Sequence, residues 1–283
     1  MTVKIVTDSI SDLPENVTRE LGITVVPMVV NFGEKSYRDG IDLTPEEFYK
    51  KLNSSKIFPQ TSVPPPGVFA ETYDKLAEET DEVLVITVSS RLTATYNVAL
   101  QGINLMNKKC RVEAIDSTWA TMAQGFIVMA AAKAARSGAS YEDIKAIAQK
   151  TIGRVEFHAT FDTLEYLRRG GRIGRAAAFI GSMLKVNPII TLKDGVVEPV
   201  GRVRSRAKAI DQLYDFARSC PSIEEMAVED TVAPGDAENL VKRLGTFYSR
   251  DRIFRSKMTP AVGTHTGPGL LLVAVQGDIY PHV

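Results

Sequence analysis

Apolar residues fall in short runs separated by turn-forming clusters along most of this chain, and the runs set a reading of its elements. Val3 to Thr7 is a β-rich run ending at Asp8-Ser9, followed by a helix after Pro14 that stops near Gly22. Ile23 to Phe32 is again apolar and β-branched, broken by Pro27. Thr44-Pro45-Glu46-Glu47 opens a helix, with a threonine cap, proline at the first helical position and acids at the positive dipole end. KIFPQTSVPPPG, Lys56 to Gly67, holds four prolines and is expected to be neither helix nor central strand. Val83 to Val88 looks like a buried parallel strand. A helix is expected from about Thr93, a strand over Arg111–Ile115, and an alanine-rich helix from about Thr118 to Arg136. This alternation predicts an α/β domain with a parallel sheet.

After about residue 153 the rhythm changes. Val155 to Thr160 reads as a strand, and Pro188–Leu192 and Val196–Val200 flank an Asp194-Gly195 hairpin signal. Helices near Ser205–Arg218 and Ala237–Phe247 and strands near Arg252–Ser256 and Leu270–Val275 complete an α+β pattern. We therefore divide the chain into an N-terminal α/β domain, residues 1–153, and a C-terminal α+β domain, residues 154–283.

Composition narrows the function classes. The 283 residues are 44% hydrophobic and 24% charged, and Lys plus Arg equals Asp plus Glu at 34 each. That balance gives no general attraction to nucleic acid or an acidic membrane. Cys110 and Cys220 lack metal-ligand spacing, so neither a disulfide scaffold nor a zinc site is expected, and a reducing cytoplasm is the natural location. The apolar stretch from Trp119 to Ala135 is interrupted by Gln124 and Lys133, so no integral membrane segment is expected.

Four segments gather hydroxyl, glycine and basic residues at element ends, where α/β proteins place ligands. Thr61-Ser62, in the proline-rich loop, presents two hydroxyls that either bind an anion or satisfy local backbone. SSRLTATYN sets Thr93 and Thr95 at a helix start, as anion donors or as ordinary caps. LEYLRRGGRIGR, with Arg168, Arg169, Arg172 and Arg175, matches neither a P-loop nor a dinucleotide fingerprint. It is a solvated basic turn or a docking patch. GTHTGPG holds His265, one of three histidines with His158 and His282, as a ligand contact or a surface residue. No G-x-S-x-G, Walker A, H-E-x-x-H or redox cysteine pair is present. His265 with Asp8 or Ser9 leaves a stand-alone hydrolase open as an alternative, beside a phosphoryl-transfer enzyme acting on a lipid or small molecule.

These segments, in this order and headed by TDSISDLP, resemble the DegV family over essentially the whole chain. The resemblance implies a two-domain DegV-like fold, with a parallel-sheet domain and a mixed-sheet domain, that binds one long-chain fatty acid. Like the FakB-like members, such a protein would be a carrier with no catalytic residues, cofactor or metal of its own. It would present the acid to a separate fatty-acid kinase, whose acyl phosphate an acyltransferase uses for phospholipid synthesis. By motif position, Thr61, Ser62, Thr93, Thr95 and His265 match residues near the carboxylate. Arg172 and Arg202, the latter in GRVRSR, match residues facing the kinase. One departure stands out: the family's Ser-Gly-Thr-Tyr reads Thr93-Ala94-Thr95-Tyr96 here, which removes a glycine where backbone could approach the ligand. Met122, Phe126 and Met129 either line the tail or simply pack the core.

Overall fold

Pro27 divides the first long apolar segment between two sheets. The computed structural model describes residues 2–182 and 186–279, without the side chains of residues 181 and 182. His282 lies outside the described residues. The chain runs β1 (Lys4–Asp8), a 3-10 turn over Ser9–Ser11, α1 (Glu15–Leu21), β2 (Ile23–Val26), β3 (Val29–Phe32), β4 (Lys35–Arg38), α2 (Pro45–Ser54) and β5 (Gln60–Ser62). It continues through α3 (Pro66–Leu76), β6 (Glu82–Thr87), α4 (Thr95–Asn104), β7 (Arg111–Asp116), α5 (Thr121–Arg136) and α6 (Tyr141–Ile152). These strands form a parallel sheet in the order β2-β1-β6-β7 and a small antiparallel sheet in the order β4-β3-β5.

Local chemistry sets several boundaries. Gly22 ends α1 in the left-handed region, where a side chain would be strained. Thr44 closes a full capping box with Glu47 at the start of α2. The proline-rich segment departs from expectation in part. Gln60–Ser62 adds to β3 as an edge strand, and Pro66-Gly67 already belong to α3, because proline is tolerated in a helix's first turn.

The remainder comprises β8 (Val155–Thr160), α7 (Glu165–Arg169), a 3-10 segment over Gly174–Ser182, β9 (Asn187–Lys193), β10 (Val196–Val203) and α8 (Arg206–Ser219). Then follow β11 (Ser222–Asp230), α9 (Pro234–Leu244), β12 (Ile253–Lys257), α10 (Pro260–Thr266) and β13 (Leu271–Asp278). The strands form one mixed sheet in the order β10-β9-β8-β13-β11-β12, with β11 and β12 parallel around α9 and the other pairs antiparallel. Asp194 and Gly195 both take positive φ, 54° and 78°, as the two-residue hairpin turn requires.

Alanine-rich α5 is buried almost all round and packs against β1 on one side and β8 and β13 on the other. One cluster of buried side chains therefore runs through the parallel and the mixed sheet, joining Ile5 and Leu84 to Phe157 and Leu272. No helix among the described residues is long and apolar enough to cross a membrane.

Candidate functional site

Strand alternation hollows this shared core. Phe157 and Ala159 of β8, Ile190 and Leu192 of β9 and Leu272 of β13 turn toward α10 and the turn after β6, and leave a cavity of about 760 Å³ counted to its opening. Most of its wall is apolar, and its deep residues are fully or nearly fully buried.

Four polar side chains of the wall cluster where burial is only partial: Thr61, Thr93, Arg172 and His265. Thr61 Oγ1 and His265 Nε2 share a hydrogen bond of 2.8 Å. Burial, and then the positive charge of Arg172, push the His265 imidazole down to about 4, so it is neutral at physiological pH. Its ring lies against Gly170, where a Cβ would come within 2.2 Å of Nδ1; this requirement for space accounts for one glycine of the Gly170-Gly171 pair. Nδ1 itself is buried and has no hydrogen-bond partner among the described residues.

The structure sorts the residues singled out from sequence. Thr61, Thr93 and His265 come together. Thr95 is fully buried behind them: its hydroxyl bonds Thr93 Oγ1 at 2.9 Å and Met28 Sδ at 3.7 Å. Ser62 turns to the opposite face of β5, is exposed, and accepts a hydrogen bond from Asn31 Nδ2 at 3.2 Å. Ala94 has φ −75°, an ordinary value for alanine, so the absent glycine causes no backbone strain.

The arginines divide too. Arg168 and Arg169 pair with Glu165, and Arg175 with Glu198, on exposed surface. Arg172 instead folds into the cavity wall, donating from Nε to Leu92 O at 3.0 Å and from Nη1 to Gly170 O at 2.6 Å. Arg202 is exposed on β10, with its guanidinium 5.9 Å from the Phe179 ring centre. Met122, Phe126 and Met129 pack the core and do not line the cavity; Ala120 and Thr121, at the start of the same helix, do. His158 stacks on Phe216 at 3.8 Å between ring centres.

A Ser9–His265 pairing does not form. Ser9 Oγ donates to Asp39 Oδ2, and His265 Nε2 is engaged with Thr61. Sequence reasoning missed Leu92, Met28 and the apolar strand positions, because a cavity lined by ordinary core residues carries no local signature.

A family model described as uncharacterised protein, DegV family, matches residues 2–277. A DegV domain-containing protein of Caldanaerobacter subterraneus is 36% identical over 270 residues, covering 94% of this chain and 95% of the relative. Protein DegV of Bacillus subtilis is 32% identical, covering 96% of this chain and 98% of its own length. Among solved structures, a DegV family protein from Thermus thermophilus, described by its fatty-acid binding, superposes with TM-score 0.90 at 31% identity. It covers 98% of this chain and 100% of its own. DegV of Bacillus subtilis, described as a fatty acid binding protein, gives TM-score 0.88 at 31% identity with the same coverage.

Proposed function

The chain belongs to the DegV family, and on that premise we propose that it is a carrier of one long-chain fatty acid, with the tail in the apolar cavity and the carboxylate at its polar end. The observation that carries this reading is the asymmetry of the cavity: a mainly apolar interior, with Thr121 and Thr266 as its buried polar side chains, and Thr61, Thr93, Arg172 and His265 gathered at the less buried end. The structural relatives described as fatty-acid binding support it.

A tail of about sixteen carbons, at roughly 0.8 kcal/mol per buried methylene, contributes on the order of 12 kcal/mol before association costs. The tail supplies affinity. The polar end fixes where the carboxylate stops: the hydroxyls offer hydrogen bonds, the neutral imidazole of His265 orients Thr61 through their shared bond, and Arg172 supplies positive charge. Thr95 acts behind Thr93. In this reading Ser62 does not touch the ligand.

Denaturing extraction of purified protein followed by mass spectrometry tests the reading directly. A stoichiometric long-chain monocarboxylic acid is expected; its absence from both native and lipid-soaked preparations would refute it.

The carrier presents its acid to a separate fatty-acid kinase, and an acyltransferase then uses the acyl phosphate for phospholipid synthesis. Placement of the carboxylate at the accessible end supports this role, as does the exposed Arg202. Thr61→Ala combined with Thr93→Ala is expected to slow kinase-dependent phosphorylation by about ten-fold or more, since each lost hydrogen bond to a charged group is worth roughly 1.5–3 kcal/mol. Tail affinity, measured in parallel, should change far less. Unaltered phosphorylation would remove these hydroxyls from the head-group site.

A further inference from the structure

Two buried residues outside the cavity wall hold both halves of its polar end. Ser9, 7% exposed, and Asp39, 2% exposed, are joined by a 2.6 Å hydrogen bond from Ser9 Oγ to Asp39 Oδ2. The other carboxylate oxygen, Oδ1, accepts from the backbone N–H of Ala261 at 3.0 Å. Ala261 lies in the first turn of α10, and His265 follows four residues later, on the same face of that helix. The segment PAVGTHT is a poor intrinsic helix former, so contacts at its amino end decide where the imidazole lies.

On the other side, Ser9 Oγ accepts from the N–H of Met28 at 3.0 Å, and Asp39 N–H donates to the Met28 carbonyl at 2.8 Å. The pair thus grips the Met28 backbone from both directions. Met28 lines the cavity, and its sulfur accepts from Thr95, whose hydroxyl is bonded to Thr93. A carboxylate held in so dry a place is costly, and burial raises Asp39 to about 6. Apolar side chains would fill the same space without that cost but would leave the Ser9 hydroxyl and the Ala261 N–H unpaired.

We propose that Ser9 and Asp39 are positioning residues of the head-group site, setting His265 through α10 and Thr93 through Met28 and Thr95. The inference rests on the fatty-acid reading given above. Neither residue touches the ligand; both act on how well the site distinguishes a carboxylate from another polar group.

The test compares hexadecanoic acid with hexadecanol as ligands of delipidated full-length protein, in wild type, Asp39→Asn and Ser9→Ala. D39N keeps the side-chain volume, and S9A, the smaller change, carries the test if D39N does not fold. Wild type is expected to prefer the acid. In the variants, acid binding should weaken about ten-fold while alcohol binding stays within about two-fold, and the imidazole nitrogen resonances of His265 should shift. Equal losses for acid and alcohol would assign the pair a merely structural role and overturn the inference alone. Unchanged acid binding in the variants would do the same. Wild-type protein that takes up neither ligand would overturn the carrier reading, and the inference with it.

Discussion

Ile190→Trp is expected to leave the protein folded but strip it of recoverable fatty acid. Ile190 is 2% exposed and sends its side chain from β9 into the cavity, opposite in direction to its neighbour Ile189. An indole there fills empty space instead of forcing packed neighbours apart, so the usual penalty of overpacking is largely avoided. If it shuts out half of a tail, about eight methylenes at roughly 0.8 kcal/mol each, affinity falls by more than a thousand-fold. Denaturing extraction with mass spectrometry, beside a thermal melt, reads both halves of the expectation. A folded I190W protein that still carries acid at wild-type occupancy would place the tail elsewhere.

The second large effect concerns stability and pH. Glu229, fully buried on β11, accepts from the N–H of Met122 at 3.1 Å through Oε2. Among the described residues its Oε1 and the Oδ2 of Asp12 are both buried without a well-formed hydrogen bond, with the Asp12 carboxyl and the Thr121 hydroxyl beside Glu229. Two carboxylates so placed are best satisfied by sharing one proton. Burial raises Glu229 to about 8, and burial followed by the negative charge of Glu229 raises Asp12 well above the ordinary range. Because the folded value is the higher one, the stabilisation is fully present below the ordinary glutamate range and is lost as pH climbs through about 8. Glu229→Gln mimics the protonated acid: its carbonyl keeps the Met122 bond and its amide donates to Asp12. At pH 9 this variant is expected to melt on the order of 5–10 °C above wild type, and at pH 5 the two should converge. Parallel melting curves with no pH-dependent gap would show that the two acids do not share a proton.

Features decided by neighbours in the chain were legible in the sequence. The Thr44 capping box, the left-handed Gly22, the Asp194-Gly195 turn and the break at Pro27 each depend on a few adjacent residues. Features decided across the fold were not. β11 is missing from the elements the sequence predicts: it begins Ser-Ile-Glu-Glu and ends Glu229-Asp230, four acids in a strand whose last two are nevertheless buried. α10 is likewise absent from the predicted elements, since its glycine and threonines disfavour helix. Asp12 and Asp39, distant in sequence, accept from the N–H groups of Thr259 and Ala261 at its start. Thr61 and Thr93 of the hydroxyl motifs meet at one cavity wall, yet the separation of Thr61 from Ser62 follows from β5 pairing with β3. A segment with four prolines gives little warning of such a strand.

The cavity occupies the middle of the principal core, bordered by the same Phe157, Leu192 and Leu272 that tie the two sheets together. Any occupant completes that interior, so it adds to folding free energy by mass action, rising with the logarithm of its concentration. Proteases act mainly on chains that open, and the empty form opens more readily. The lifetime of the protein in a cell would then track lipid supply, making its abundance a slow record of how much ligand has been at hand.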